Sequence, residues 1–163
     1  MRRLLLMRHG KAAWPDGVED FERPLAARGH HEAGLAGEWI REHVGTVDQV
    51  LCSSARRTRE TLEATGLDAP AIFLDEIYEA WTGDLLAAVQ GADTDAETVL
   101  MVGHAPGTPG LAARLAGDAS DPRALARVRA GFPTSAIAVL DVPRPWAELE
   151  VGTATLLDVV IAR

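Results

Sequence analysis

Three short apolar runs, residues 4–7, 49–52 and 98–102, dominate the pattern of this chain, and each stops abruptly at polar or glycine residues. Runs of that length are too short for a buried helix and suit strands covered on both faces. Helix-like stretches separate them. Leu35, Trp39 and Ile40 share one face of a helix over about residues 33–42, and Ala55, Thr58 and Leu62 do so in a helix that starts after Ser53-Ser54, two N-cap candidates. Thr82 can cap a helix carrying Leu85, Leu86 and Val89, Pro106-Gly107 opens one with Leu111, Ala112 and Leu115, and Asp121-Pro122 pairs a cap with a proline at the first helical position. A weaker strand covers 71–74, and strands 135–142 and 152–161 follow, broken by Pro143-Arg144-Pro145. Strands alternating with helices predict an α/β fold: a single-domain three-layer α/β/α arrangement over 1–163 with a mostly parallel, partly mixed central sheet.

The 163 residues fit one domain with a sizeable core. A net charge of −8 argues against nucleic-acid or anionic-membrane binding, which use basic surfaces. Any anionic substrate is then held by a local arginine cluster. Cys52 is the only cysteine, which removes disulfide frameworks and fits a cytoplasmic protein. No stretch approaches the ~20 apolar residues of a membrane helix, and Arg8 closes the N-terminal run too early for a signal peptide.

In open α/β sheets ligands sit at the C-terminal ends of the strands. That rule gathers Arg8-His9-Gly10, Ser53-Ser54 and Gly103-His104 onto one edge. Neutral imidazole is a competent nucleophile toward phosphorus, and the guanidinium beside His9 lowers the ring's pKa. Arg8 also offers the forked donors that suit phosphate oxygens, while Gly10 allows a tight turn. The helix after Ser53 presents its N-terminus and first turn to the same edge, with Arg57 as the inward arginine and Arg56 as the alternative. His104 supplies a second imidazole for the oxygens of a phosphoryl group in transfer.

These segments resemble the histidine phosphatase superfamily, with its phosphoglycerate mutase-like fold, and most closely its small SixA-like phosphohistidine phosphatases. The resemblance rests on Met7-Arg8-His9-Gly10-Lys11-Ala12, Asp20 with Arg23-Pro24-Leu25, and Arg28-Gly29. It continues through Ser53 with Arg57 and Thr61, Val102-Gly103-His104, and Phe132-Pro133-Thr134-Ser135. It implies a metal-independent, cofactor-free phosphatase in which His9 forms a covalent phosphohistidine and Arg8, Arg57 and His104 surround the phosphate. Gly10, Lys11 and Ser53 join the substrate-binding set. Glu79 occupies the region of the general acid, although a phosphoramidate leaving group needs less help of that kind. Ser54 stands where a proline is common, and Lys11 where many relatives carry an acidic or polar residue. Asp20 and Arg23 read as a loop-fixing ion pair.

Other phosphatase chemistries fit less well. A cysteine nucleophile at Cys52 needs an arginine at position 58, where Thr58 stands between Arg57 and Arg59. None of the five histidines shows the spacing of a zinc helix, and no paired aspartates follow the first strand. A phosphate-binding module without turnover is the non-enzyme alternative. Little of the chain is left to cover the pocket, so an open site is expected. Openness favours phosphohistidine in a protein as the partner, with a small phosphorylated metabolite as the alternative.

Overall fold

The computed structural model describes residues 1–163. The chain runs β1 (Arg2–Arg8), α1 (Ala27–His43), β2 (Gln49–Ser53), α2 (Arg56–Thr65), β3 (Ala71–Leu74), α3 (Thr82–Gln90) and β4 (Thr98–Gly103). It ends with α4 (Gly107–Leu115), α5 (Pro122–Ala130), β5 (Ile137–Val142) and β6 (Thr155–Val160). The six strands form one sheet in the order β3-β2-β4-β1-β5-β6. β1 to β4 pair in parallel, and β5 lies antiparallel to both its neighbours. This is the mostly parallel, mixed sheet that the alternation of strands and helices predicts.

Side chains alternate across a strand, and β1 shows what that does here. Leu4 and Leu6 enter a core with residues of α3, α4 and α5, including Leu85, Leu111 and Ala124. Leu5 and Met7 point the other way, to Ala33, Ala36 and Ile40 of α1. Each face of the sheet is therefore sealed by helices, and β1 is apolar at successive positions because both faces are dry. No helix is long and apolar enough to cross a membrane.

Boundaries differ from expectation where polar contacts decide them. α1 starts at Ala27, ahead of the expected residue 33, because its first turns carry exposed Arg28 and His31 and lack an apolar stripe. Their job is backbone approach: a Cβ on Gly29 would sit 2.2 Å from the Lys11 carbonyl oxygen. Neither Ser53 nor Ser54 caps α2, whose N-cap is Ala55. Thr82 lies inside α3, where the Asp84 carboxylate accepts the Trp81 N–H at 3.1 Å. Asp121 does cap α5, accepting from the Arg123 N–H at 3.1 Å. β5 begins after Ser135, which takes a left-handed φ of 62° and donates its N–H to the Arg8 and His9 carbonyls, each at 3.1 Å.

Candidate active site

β1 and β4 are parallel neighbours in a register that sets Arg8 opposite Gly103. The residues just beyond are therefore side by side, and the rings of His9 and His104 lie 5.3 Å apart, tilted by 57°. The His9 N–H donates to the Gly103 carbonyl at 3.0 Å, which extends the ladder one step past the strand. β2, on the far side of β4, brings Ser53 to the same edge.

His9 is only 8% exposed, and its Nδ1 lies 2.7 Å from the Gly10 carbonyl oxygen. A carbonyl can only accept, so Nδ1 carries the proton and Nε2 keeps its lone pair. Burial lowers the ring's pKa to about 4, opposed by the Gly10 hydrogen bond and aided by the charges of Arg57, Arg8 and Arg23. The expected effect of the arginines is present, but dehydration is the larger cause. At neutral pH His9 is an uncharged imidazole with an oriented lone pair.

Gly10 contributes differently from expectation. Its N–H donates to the Thr61 hydroxyl at 2.9 Å and so is not directed to a ligand. No left-handed φ requires a glycine there; a Cβ would lie 2.9 Å from the Gly29 carbonyl oxygen, and this close approach excludes other residues. Thr61 in turn donates to the Arg57 carbonyl at 2.7 Å, tying the loop after β1 to α2.

Arg8 directs Nη1 to the Phe132 carbonyl at 2.9 Å, and burial lowers its pKa. Of the two arginines opening α2, Arg57 is the inward one, 6% exposed, while Arg56 lies outside and pairs with Glu60 at 2.8 Å. The fork of Arg57 is held by Asp20: Nη1 donates to its carbonyl at 2.7 Å and Nη2 to its carboxylate at 3.1 Å. Asp20 also accepts from Arg23 at 3.3 Å and from the Tyr78 hydroxyl at 2.6 Å. The Tyr78 hydrogen bond is the first cause of a carboxyl pKa near 2, ahead of the Arg57 and Arg23 contacts, with burial opposing. Asp20 is therefore more than the partner of Arg23. It fixes the arginine beside the two histidines.

Ser53 is fully buried, and its hydroxyl lies 2.8 Å from His104 Nε2. A buried hydroxyl committed to a ring nitrogen orients that ring, which replaces the direct phosphate contact expected of Ser53. When Ser53 donates to Nε2, His104 carries its proton on Nδ1, which is buried without a protein partner. Burial first, then the neighbouring His9, Arg57 and Arg8, hold the His104 pKa near 3, with Asp20 opposing. Arg8 Nε and Arg57 Nε are likewise buried N–H donors without protein partners. The edge thus combines one free imidazole lone pair with two uncommitted guanidinium N–H groups, joined by His104 Nδ1 in the tautomer in which Ser53 donates.

A cavity of about 410 Å³ adjoins this cluster, and Asp20, Arg57 and His104 line it together with Glu79 and Trp81. Glu79 is exposed with φ 52°, and Lys11 is exposed at the loop after His9. Cys52 is fully buried, and burial pushes its thiol up to about 12, so it is a core residue and no nucleophile. Sequence reasoning missed Tyr78 and Trp81 and underrated Asp20. Its one usable signal was an aromatic pair flanking the acidic Glu79.

Residues 4–95 match the family model of the histidine phosphatase superfamily (branch 1). The uncharacterized protein Rv1276c of Mycobacterium tuberculosis is 46% identical over 158 residues, covering 96% of this chain and all of that protein. Phosphohistidine phosphatase SixA of Escherichia coli is 32% identical over 141 residues, 83% of this chain and 82% of SixA. Among solved structures, a candidate SixA from Nakamurella multipartitia superposes with a TM-score of 0.90 at 40% identity over 98% of this chain and 95% of that one. The protein histidine phosphatase SixA complexed with tungstate does so with a TM-score of 0.79 at 28% identity over 98% and 97%. On its family match and its likeness to SixA along most of the chain, this protein belongs to the histidine phosphatase superfamily.

Proposed function

We propose that residues 1–163 act as one phosphatase domain in which His9 takes up a phosphoryl group and water then removes it, the donor being phosphohistidine in a protein. The carrying observation is the bond from His9 Nδ1 to the Gly10 carbonyl, which fixes the tautomer and leaves Nε2 as a neutral nucleophile in a buried ring. The lone pair attacks phosphorus as the donor bond breaks. Arg8, Arg57 and His104 then hold the oxygens with donors that are already oriented, so little reorganisation opposes the step. In the second half a water displaces phosphate and restores the imidazole.

One comparison and one feature of the structure support the choice of donor. SixA, complexed with tungstate in the structure compared, carries the name of a protein histidine phosphatase, and tungstate is a tetrahedral oxyanion shaped like phosphate. The cavity beside His104 is lined in part by the exposed Glu79 and Trp81, so a side chain projecting from a folded partner has a route to it. Retention of a phosphoryl donor for mutase chemistry would call for an enclosed site instead.

A rapid-quench experiment with ³²P-labelled histidine-phosphorylated protein tests this reading. We expect an acid-labile label on His9, its decay with release of phosphate, insensitivity to EDTA, and loss of turnover by roughly a thousandfold or more in His9→Ala. Full activity of that variant would sink the mechanism. A stronger preference for sugar phosphates would replace the protein donor with a small phosphomonoester.

A further inference from the structure

Beyond the arginine and histidine cluster, the cavity is lined by the apolar Ile77, Ala80, Leu85 and Pro106. Its charged groups are few. The terminal nitrogens of Arg57 are already bound to Asp20, which leaves the Glu79 carboxylate, exposed and in no ion pair, as the one uncompensated charge on the wall. A donor bearing a second phosphate or a carboxylate would meet Glu79 there with no cation to pair with.

Trp81 is the second unusual feature: Trp14, 74% exposed, lays its ring over the Arg23 guanidinium at 3.2 Å, whereas no cation lies over the ring of Trp81. Trp81 is 83% exposed at the start of α3, with its backbone N–H fixed by Asp84. Trp146 shows what a structural tryptophan looks like in this fold: 1% exposed, its indole N–H donating to the Ala96 carbonyl at 2.8 Å. An indole left in water at the mouth of an apolar cavity has the character of a binding anchor. Glu79, two residues earlier, takes a left-handed φ that a non-glycine residue seldom adopts and that recurs at functional sites.

Resting on the phosphatase reading above, we infer that this cavity is a leaving-group subsite in which Trp81 and Glu79 select a planar, cationic donor, the protonated ring of phosphohistidine. When the ring nitrogen remote from phosphorus carries a proton, the donor is an imidazolium. His9 Nε2 forms its bond to phosphorus, the donor P–N bond breaks, and that electron pair returns to the donor nitrogen. The donor leaves as neutral imidazole, still carrying its proton. No proton leaves the protein in this step. A carboxylate favours the protonated ring, and an indole face attracts it. Glu79 is thus a counter-ion to the donor rather than the general acid, and an alkyl or aryl phosphate presents no such charge.

The test compares kcat/KM for a histidine-phosphorylated peptide with that for phenyl phosphate, on the same preparation of each variant. Their ratio cancels any loss of folded protein. In Trp81→Ala the ratio is expected to fall about fivefold, the size of one exposed cation–π contact, chiefly through KM for the peptide, and Trp81→Phe restores most of it. Glu79→Gln lowers the ratio, Glu79→Lys lowers it further, and both flatten its rise as pH falls through about 6.5, the range in which imidazole protonates, while the part due to Trp81 remains. An unchanged ratio in Trp81→Ala and Glu79→Gln overturns the subsite while a label on His9 leaves the phosphatase reading standing. Absence of that label with either donor overturns both.

Discussion

At the scale of single residues, the chemistry of this site depends on which nitrogen of each histidine is committed. His9 spends Nδ1 on the Gly10 carbonyl, and His104 spends Nε2 on Ser53. With a pKa near 4, His9 stays neutral well below the usual range of imidazole, so if it is the nucleophile proposed above, its protonation is expected to remove activity only as pH approaches 4. The pH profile of kcat/KM for phenyl phosphate, corrected for the donor's own ionisation at about 6, checks this: a remaining acid limb at the ordinary imidazole value near 6.5 would contradict the buried, neutral ring. Ser53→Ala removes the hydroxyl that orients His104 while leaving His9 untouched. We expect turnover to fall about tenfold with the acid limb unmoved, the pattern of a lost positioning contact. The inward placement of Arg57 was suggested by its position in the first turn of a helix that follows a strand. Its clamp by Asp20 was not, because the two lie far apart in sequence and meet only across the loop after β1.

At the scale of elements, the glycines of α1 report how closely the layers approach. A Cβ on Gly37 would lie 2.1 Å from the Thr65 carbonyl oxygen at the end of α2, whereas one on Gly34 would rest 3.6 Å from the Ala64 carbonyl oxygen. In an exposed helix either change to alanine would add up to about 1 kcal/mol of stability through propensity. Here the two substitutions separate. Gly34→Ala is expected to raise the urea midpoint slightly, and Gly37→Ala to lower stability by about 2 kcal/mol or more, because backbone on both sides must move. Equal effects of the two in urea titrations would refute so close a contact. The helical faces were legible from spacing, but the early start of α1 was not. Its first turns contribute backbone proximity at Gly29 and an ion pair from Arg28 to the buried Glu32 at 3.2 Å, and neither leaves an apolar stripe.

For the molecule as a whole, the same buried rings that serve the site also set its response to acid. His9 and His104 are held near 4 and 3 in the fold, while in the unfolded chain both titrate near 6.5. Between those limits the unfolded chain binds protons that the folded one does not. Stability is therefore full above about pH 6.5 and is lost as pH falls toward 4, by on the order of a few kcal/mol for the pair. Asp20, near 2 in the fold, adds a loss of the same sign at lower pH still. Thermal melts from pH 7 to 4 check this: Tm is expected to drop across that window, and the drop to shrink in His104→Asn. A flat Tm would mean that the rings are hydrated.

Sequence by itself determined the layered α/β class, the strand ends that carry Arg8, His9 and His104, and an inward arginine at the start of α2, with Arg56 still open beside Arg57. Those follow from local periodicity and from where apolar runs stop, which neighbouring residues alone decide. Only the tertiary structure decided that Ser53 orients His104, that Gly10 is required by Gly29, that Asp20 holds Arg57, and that Trp81 and Glu79 share a cavity with His104. Each of these joins segments distant along the chain, and hydrogen bonds across such distances leave no periodic trace in the residues that make them.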